Sequence, residues 1–260
     1  MTEEILSAEL ITDGLDTRMI GQRILYYPSV TSTNEIARTE AGKGVQEGTV
    51  VIADRQTAGR GRLKRTWLTP VGNIALSVVL YPEKRILPSL IMMASLAASH
   101  SIETVTGLKT QIKWPNDLLI NGRKVCGILI ESDVGNEKVN FAVIGIGINV
   151  NAGKDVLSGV QTPATSLYLE TGKEVSHLQI IRELLKATDN LYYTITSGGS
   201  VFSEWRDRLI TLGKEVRVTS GEEMFEGIAE SVNTDGSLLV RSPDGSLNRV
   251  IAGDVTLRRK

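Results

Sequence analysis

Arg55-Gln56-Thr57-Ala58-Gly59-Arg60-Gly61-Arg62-Leu63-Lys64-Arg65-Thr66-Trp67 is the most informative stretch of the chain. Its first eleven residues carry five cations and no acid, although the formal net charge of the whole chain is only −1. Charge concentrated in this way favours a site for a small anion. The two glycines let the backbone approach a ligand, the arginines can pair with carboxylate or phosphate, and Trp67 offers a flat apolar face. The stretch predicts a loop that clamps an anionic ligand; a solvated loop and a weak nucleic-acid patch are the alternatives.

The two common phosphate-binding fingerprints do not explain this loop. No Gly-Lys pair in the sequence is followed by the Ser or Thr that a Walker loop requires, and no G-x-G-x-x-G is present. If phosphates bind here, arginine side chains supply much of the contact.

The composition is that of an ordinary globular protein. The 260 residues are 41% apolar and 23% charged, enough for one large domain or for a large and a small one. One cysteine, Cys126, and two histidines exclude an intrachain disulfide and argue against a structural zinc, so we expect no metal-ligating residues. The N-terminal residues lack a signal-peptide pattern, and the longest continuous apolar run, around Leu90 to Ala98, is far shorter than a membrane span. We therefore expect a cytoplasmic protein.

Periodicity and turn signals predict an α/β (α+β) domain over residues 1–212, with a lead-in over 1–20, and a small β-barrel over 213–260. The predicted strands of the first domain cover residues 24–27, 49–53, 74–80, 111–113, 118–120, 124–131 and 139–150. Gly145 and Gly147 are expected to break the last of these. The predicted helices cover residues 1 to about 20, 36 onward, 88–106, 178–196 and 201–212. Ser32 and Glu35 fit a capping box at the second helix.

Four segments, in their order and spacing, resemble the biotin–protein ligases, or biotin–[acetyl-CoA-carboxylase] ligases. They are Ser32-Thr33-Asn34, Gly59 to Trp67, Lys113-Trp114-Pro115-Asn116-Asp117 and Gly145 to Asn151. Gly127-Ile128-Leu129-Ile130-Glu131 matches the strand that follows the third segment in that family. The resemblance extends from about Arg18 to the C-terminus.

The resemblance implies a two-step reaction and a fold. Biotin would react with ATP, with Mg²⁺ on the pyrophosphate, to give biotinyl-5′-AMP, and a lysine of a biotin carboxyl carrier protein would then accept the biotinyl group. The catalytic domain would be a mixed sheet related to class II aminoacyl-tRNA synthetases, followed by a small SH3-like barrel. Bifunctional members carry an N-terminal DNA-binding domain, for which residues 1–20 leave no room, so we expect a monofunctional ligase that binds neither DNA nor membrane.

The resemblance also assigns residues. Lys113 and Arg62 are the catalytic candidates. The candidate biotin contacts are Ser32, Thr33, Asn34, Gln56, Gly59, Arg60, Gly61, Arg62 and Lys113. The candidate ATP or adenylate contacts are Arg62, Arg65, Trp67, Asn116 and Asn149. Purely structural alternatives exist for several of them: helix capping for Ser32, core packing for Trp67 and a solvated strand end for Lys113.

Three other functions stay open from the sequence. A lipoate or octanoyl transfer ligase shares the broad fold, a nucleic-acid-binding module could use the basic loop with the barrel, and a biotin sensor could lack catalysis. The near-neutral charge disfavours the second, and the presence of Lys113 and the loop arginines disfavours the third. The sequence leaves the acceptor carrier protein and the choice between monomer and homodimer undecided, although members of the family often pair through the sheets of their catalytic domains.

Overall fold

The structure is a computed structural model that describes residues 6–70, 72–158, 162–220, 223–251 and 253–257. A seven-stranded sheet dominates it, with strand order β1-β2-β3-β7-β6-β5-β4. The strands are β1 (Ile24–Val30), β2 (Val50–Gln56), β3 (Ile74–Leu80), β4 (Gln111–Lys113), β5 (Asp117–Ile120), β6 (Arg123–Val134) and β7 (Val139–Ile148). Only β1 and β2 pair in parallel, so the sheet is mixed.

Seven helices accompany the sheet over the described ranges. They are α1 (Ala8–Thr12), α2 (Thr33–Gly42), α3 (Leu87–Thr106), α4 (Lys154–Leu157), α5 (Leu167–Thr171), α6 (His177–Thr196) and α7 (Phe202–Asp207), with 3₁₀ turns at Arg62–Lys64 and Lys84–Ile86.

The two faces of the sheet are covered differently. On one face α3 packs against β5, β6 and β7, and α6 lies beside α3. On the other face α2 packs against β2, β3 and β7, where Val79 and Val143 bury Ala37. Because side chains alternate along a strand, Gly145 and Gly147 lie on the same face as Val143. Gly145 lies under Asn34, in the first turn of α2, whereas Gly147 contacts Trp67 of the basic loop. This leaves part of one face of the sheet free of helix cover.

The segment Lys84–Thr106, which includes α3, is the one described helical segment that is long and apolar enough to cross a membrane. About two thirds of that segment (67%) is buried inside the protein. Pro88 lies in the first turn of α3, and Gly107 ends the helix with a φ of 72°. Its apolar composition is therefore explained by packing in the core.

The smaller domain is a five-stranded antiparallel sheet in the order β11-β10-β9-β8-β12. Its strands are β8 (Glu215–Ser220), β9 (Glu223–Val232), β10 (Leu238–Arg241), β11 (Leu247–Val250) and β12 (Asp254–Leu257). Trp114, which is 1% exposed, joins the two sheets by donating from Nε1 to the carbonyl of Gly236 at 2.8 Å. The predicted mixed catalytic sheet with a small β domain is confirmed, while the boundary between residues 212 and 213 stays a prediction.

Several predicted elements are wrong in detail. β7 runs without a break through Gly145 and Gly147, because those residues keep their ladder partners on β3 and β6. The lead-in contains only five helical residues, since Gly14 has a φ of 67°; residues 1–5 lie outside the described ranges. The helix predicted over 201–212 ends at Asp207, because Ile210 instead donates its amide to Ile112 of β4.

The predicted capping box at α2 is also wrong. Ser32 occupies the N-cap, but its side chain makes no capping hydrogen bond within the described residues. Glu35 accepts instead from the Thr31 hydroxyl at 2.9 Å. The Ser32 hydroxyl is thereby released from the helix end.

A carboxylate of α6 binds the segment that precedes β1. Asp189 accepts the backbone amides of Arg18, Met19 and Ile20 at 2.9–3.0 Å, and it also pairs with the Arg18 guanidinium. Burial alone would raise the pKa of Asp189, yet these amides and the guanidinium hold that pKa below its usual value.

We predict that Asp189→Asn lowers the free energy of unfolding by about 2 kcal/mol at pH 7, because three amides lose a charged acceptor. A depressed folded-state pKa gives stability that is present above the unfolded pKa of about 3.9 and is lost as pH falls through the folded value. The deficit should therefore shrink below about pH 4. Urea unfolding at pH 7 and pH 3 tests this, with Asp207→Asn, an exposed carboxylate, as the control. An equal deficit at both values would contradict the assignment.

Candidate active site

A cavity of about 1510 Å³ opens on the uncovered part of the large sheet. Its floor is formed by β6 and β7, and its walls by the start of α2, the basic loop, residues 162–164 and the edge of the smaller domain. Every predicted site residue except Gly59 lines it. Residues separated by more than a hundred positions in the sequence are thus brought together in one place.

Glycines leave part of the cavity floor as bare backbone, next to the side chain of Leu129. Gly127 of β6 and Gly147 of β7 are direct partners across the ladder. The indole of Trp67 lies against them: a Cβ at position 147 would be 2.3 Å from the ring, and one at position 127 would be 2.9 Å from it. The Nε1 group of Trp67 is buried and has no hydrogen-bond partner among the described residues. The glycines therefore create a flat surface on which an aromatic ring rests.

Gly59 is required for a different reason. A Cβ there would be 2.4 Å from the Trp67 carbonyl oxygen, and the Trp67 amide donates to the Gly59 carbonyl at 2.9 Å. Gly61 has more room, since its nearest contact would be 3.5 Å away. Gly59 thus closes the base of the loop, although it does not line the cavity.

One end of the cavity is polar and uncharged. Gln56 Oε1 accepts from the Thr33 amide at 2.8 Å and from the Thr33 hydroxyl at 3.1 Å, and Gln56 Nε2 donates to Thr69. Thr33 and Asn34 also contact Ser77 of β3. Ser32, Thr33 and Asn34 are each no more than 5% exposed. This end provides hydrogen-bonding groups for a neutral polar ligand.

The other end of the cavity is cationic. Six lysines and arginines line the described cavity, whereas three acids do: Asp117, Glu215 and Asp254. Two arginines of the loop bind the smaller domain: Arg62 donates to the Gly253 carbonyl at 2.8 Å, and Arg65 pairs with Asp254 at 2.5 Å. Arg60 is half exposed and 4.0 Å from Glu35. The excess of cations favours an anionic ligand here.

The pKa values of these groups reflect their surroundings. Burial lowers the pKa of Arg62, against the attraction of Asp117 and Asp254. The hydrogen bond to Asp254 raises the pKa of Arg65. Burial alone would raise the pKa of Asp254, but Arg65, Lys113 and Arg62 together keep it low. Asp254 is therefore held as an anion within a cluster of cations.

The side chains of the segment Lys113-Trp114-Pro115-Asn116-Asp117 lie partly in the cavity and partly in the hydrophobic core. Lys113, at the end of β4, lines the cavity and is half-buried, whereas Trp114 is in the core. Asn116 Nδ2 donates to the Ile128 carbonyl at 2.8 Å, and Asn116 Oδ1 accepts from Arg62 at 2.9 Å. Asn116 thus fixes Arg62 to the sheet.

Asn149 lies in the wall of the cavity, and its side-chain amide is used within the protein. Its Nδ2 donates to the Thr165 carbonyl at 3.0 Å, and its Oδ1 accepts from Asn73 at 3.2 Å. The residue is only 5% exposed. Its predicted contact with a nucleotide therefore requires the remaining hydrogen-bonding capacity of that amide.

Five residues of the site were assigned no role from the sequence: Ser77, Asp117, Lys124, Glu131 and Asp254. Lys124 pairs with Asp117 at 2.5 Å and lies 5.4 Å from the centre of a Trp67 ring. Asp117 and Glu131 lie within two of the segments that resemble the ligase family, so their positions could have indicated a role. Asp254 directly follows a glycine, a pattern typical of turns, and nothing local marks Ser77.

No group of three or more His, Cys, Asp or Glu side chains over the described ranges is arranged to hold a metal ion. The two cavity aspartates, Asp117 and Asp254, are each paired with a cation. Both aspartates are therefore engaged, and Glu215 is the third acid that lines the described cavity.

We predict that Gly147→Ala displaces Trp67 from the floor and costs about 1–3 kcal/mol of stability, because the new methyl group overlaps the ring. The other two tryptophans of the chain, Trp114 and Trp205, are at most 1% exposed, so a rise in acrylamide quenching reports on Trp67. Gly153→Ala is the control, since its Cβ would have no neighbour within 4 Å. Unchanged quenching in Gly147→Ala would contradict the position of the Trp67 indole against Gly147.

Comparison with known proteins gives a consistent result. Residues 26–149 match the Biotin/lipoate A/B protein ligase family, and residues 211–258 match the Biotin protein ligase C terminal domain. The bifunctional ligase/repressor BirA of Bacillus spizizenii is 34% identical over 97% of this chain and 79% of its own length. The biotin–[acetyl-CoA-carboxylase] ligase of Paracoccus denitrificans is 33% identical over 82% of this chain and 92% of its own length.

Among solved structures, the biotin protein ligase from Aquifex aeolicus in complex with biotin and ATP has a TM-score of 0.75 and 28% sequence identity. The match covers 92% of this chain and all of that one (100%). Both the mixed sheet and the smaller domain are therefore shared.

Proposed function

Because this chain belongs to the biotin protein ligase family, we propose that it activates biotin with ATP as biotinyl-5′-AMP and transfers the biotinyl group to a lysine of a biotin carboxyl carrier protein. The observation that carries the proposal is the division of the cavity. A neutral polar end, at Thr33, Asn34 and Gln56, adjoins a cationic end with Arg62 and Lys113. Biotin has the matching polarity, with a neutral ureido ring at one end and a carboxylate at the other.

The first step joins two anions. A carboxylate oxygen of biotin attacks the α-phosphorus of ATP, the bond to the leaving pyrophosphate breaks, and biotinyl-5′-AMP forms. We propose that Lys113 and Arg62 bring the carboxylate and the α-phosphate together and stabilise the charge on the phosphoryl oxygens. We propose that Arg65 contacts the adenylate and that Arg60 contacts biotin, since both line the cavity with Arg62.

The second step transfers the acyl group. The amine of the carrier lysine attacks the carbonyl carbon of the mixed anhydride, and AMP leaves with the electrons of the carbon–oxygen bond. We propose that the loop over 55–67 shields the anhydride from water while the lysine enters. Arg62 supports this role, because it is hydrogen bonded both to Asn116 of the large sheet and to Gly253 beside the smaller one.

We propose that the adenine stacks on the Trp67 indole and that Asn116 and Asn149 lie on the nucleotide side. The paired aspartates of the cavity lead us to propose that Mg²⁺ arrives with ATP and is held mainly by the phosphates, whose charge it neutralises. The three residues that begin α2 and Gln56 are assigned to the ureido ring. Gly59 and Gly61 are assigned to the loop backbone that faces biotin.

Biotin-dependent exchange of pyrophosphate into ATP is the direct test, followed by labelling of a carrier domain. Exchange with biotin but not with lipoate supports the proposal. Exchange with lipoate alone would replace biotin by lipoate as the substrate, and no exchange with either acid would overturn the proposed activation step.

The compartment and the assembly are also proposals. The buried free thiol of Cys126 and the buried α3 support a cytoplasmic protein that does not use a membrane. Pairing of two copies through the large sheet is a prediction that light scattering on the purified protein tests.

We predict that Lys113→Ala reduces biotinyl-AMP formation by about a hundredfold or more, with biotin binding largely intact, because the lysine acts on charge that develops in the reaction. Single-turnover adenylation and calorimetric biotin titration measure the two effects. Lys109→Ala is the matched control, since its side chain is 88% exposed near the same strand. Wild-type adenylation by Lys113→Ala would remove the lysine from the mechanism.

We predict that Arg62→Gly still makes biotinyl-AMP but releases it about ten- to a hundredfold faster, because one charge-assisted contact to the intermediate is lost. The released anhydride should then biotinylate lysines of serum albumin. Blotting albumin after incubation with biotin and ATP is the measurement, with Arg85→Gly, an exposed arginine paired with Glu83, as the control. Albumin labelling at the wild-type level, while adenylate is still produced, would show that Arg62 does not retain the intermediate.

A further inference from the structure

The three acids that line the cavity differ in what they contact. Asp117 pairs with Lys124, and Asp254 pairs with Arg65. The carboxylate of Glu215, by contrast, has no hydrogen-bond or ion-pair partner among the described residues. Glu215 is exposed and is the first residue of β8, at the edge of the smaller domain. Over the described part of the chain, it is therefore the cavity acid that is available to a cation from outside.

Ile228 of β9 lies directly opposite Glu215. The two residues are partners in the β8–β9 ladder, and both line the cavity. Opposite residues of an antiparallel pair project to the same face of the sheet, with their Cβ atoms about 5 Å apart. Ile228 is 50% exposed. An exposed apolar side chain and an exposed carboxylate thus lie side by side on the wall of the cavity that the smaller domain supplies.

The cations nearest to this pair do not neutralise Glu215. Arg241 lies opposite Ile228 on the other side, on β10, and it pairs with Glu230 at 2.9 Å. Lys214 precedes Glu215 and also lines the cavity, but no ion pair joins the two among the described contacts. The negative charge of Glu215 therefore faces the cavity and the solvent.

A lysine side chain matches this pair of residues. It has an apolar stem and a cationic end, and such side chains lay the stem on apolar surface while the charge stays near water. The acceptor in the proposed function is a lysine, and its ammonium group is charged at neutral pH because the pKa of a free lysine is about 10.4. Six lysines and arginines that line the cavity oppose its approach. A carboxylate beside its path offsets part of this repulsion.

We infer that Glu215 and Ile228 receive the acceptor lysine at the edge of the cavity, Glu215 through the ammonium group and Ile228 through the apolar stem. The inference rests on the proposed function and adds to it a contact surface for the protein substrate on the smaller domain. The contact precedes the transfer step, in which the lysine reacts as a neutral amine. Loss of either side chain should therefore affect capture of the carrier protein more than the transfer itself.

Glu215→Gln tests the inference, because it removes the charge and keeps the size of the side chain. The rate of biotinylation of a biotin carboxyl carrier domain is measured at saturating biotin and ATP while the carrier concentration is raised. We expect the KM for the carrier to rise about two- to fivefold, which is the effect of one exposed charge pair, with kcat little changed. The difference from the wild-type protein should shrink as salt is added, because salt screens exposed charges.

Two reactions that use no lysine separate capture from the rest of the cycle. Biotin-dependent pyrophosphate exchange reports on formation of the adenylate, and hydroxylamine, a small neutral nucleophile, cleaves the bound anhydride. Both rates should stay at the wild-type level in Glu215→Gln. Asp244→Asn is the matched control variant, since Asp244 is an exposed acid of the same domain that does not line the cavity.

Ile228→Thr tests the apolar contact, because threonine keeps the branched Cβ and shortens the apolar side chain. We expect the KM for the carrier to rise about two- to fourfold, as for the loss of about one buried methylene contact. Ile251→Thr is the control, since Ile251 is 74% exposed in the same domain but does not line the cavity. An unchanged KM in Ile228→Thr would overturn the contact assigned to the stem.

An unchanged KM for the carrier in Glu215→Gln would overturn the inference, as would an equal rise in Asp244→Asn. Equal slowing of pyrophosphate exchange or of hydroxylamine cleavage would also overturn it, because Glu215 would then act on the adenylate and not on the lysine. The proposed function fails separately, if the wild-type protein shows no biotin-dependent exchange. Normal exchange with an unaffected Glu215→Gln variant would refute the inference alone.

Discussion

The candidate site depends on one constraint: three glycines, Gly127, Gly145 and Gly147, leave part of the face of β6 and β7 under the cavity without side chains. Gly127 and Gly147 lie side by side and receive the Trp67 indole, and Gly145 receives the Asn34 amide. The same face, one step along β7, carries Val143, which packs under α2. The sheet therefore supports α2 through the side chain of Val143 and receives an aromatic ring where Gly127 and Gly147 have none. Both features come from the alternation of residues along a strand.

The two domains contribute different parts of the site. The large sheet supplies the floor, the neutral end and Lys113, whereas the smaller domain contributes Asp254 and the Gly253 carbonyl to the basic loop. Asp254 offsets part of the mutual repulsion of the loop arginines, which are otherwise close together in a partly buried place. Trp114 adds a second link, through Gly236. The position of the loop thus depends on both sheets.

The sequence predicted most strands of the large sheet because their apolar runs are bounded by clear turn signals. The Asn121-Gly122 turn between β5 and β6 has positive φ at both residues, as a two-residue hairpin turn of this sequence requires. The basic loop and the Lys113 segment were recognised because their residue types can bind anions. In the structure both segments line the same cavity. Lys113 and the core strands could be predicted from the sequence because the patterns that indicate them lie within a few neighbouring residues.

Other features were not accessible because they depend on contacts between distant segments. Gly145 and Gly147 were predicted to break a strand, since glycine is a poor strand former, and only the packed Asn34 and Trp67 reveal why glycine is needed. Ser32 matched a capping pattern that the structure does not use. Arg65 and Asp254 are 189 residues apart in the sequence, so no local pattern connects them.

A floor made of peptide backbone has a consequence for how such a cavity can change over evolutionary time. Side chains on the walls can be exchanged one at a time, and each exchange alters the shape of the cavity by a small step. At Gly147 even the smallest step, a methyl group, would overlap Trp67, and the carbonyl and amide groups beneath are common to every amino acid. Substitution at this glycine therefore cannot change the floor of the cavity in small steps. New ligand preferences in such a protein would arise through the walls, while the surface on which the indole rests stays the same.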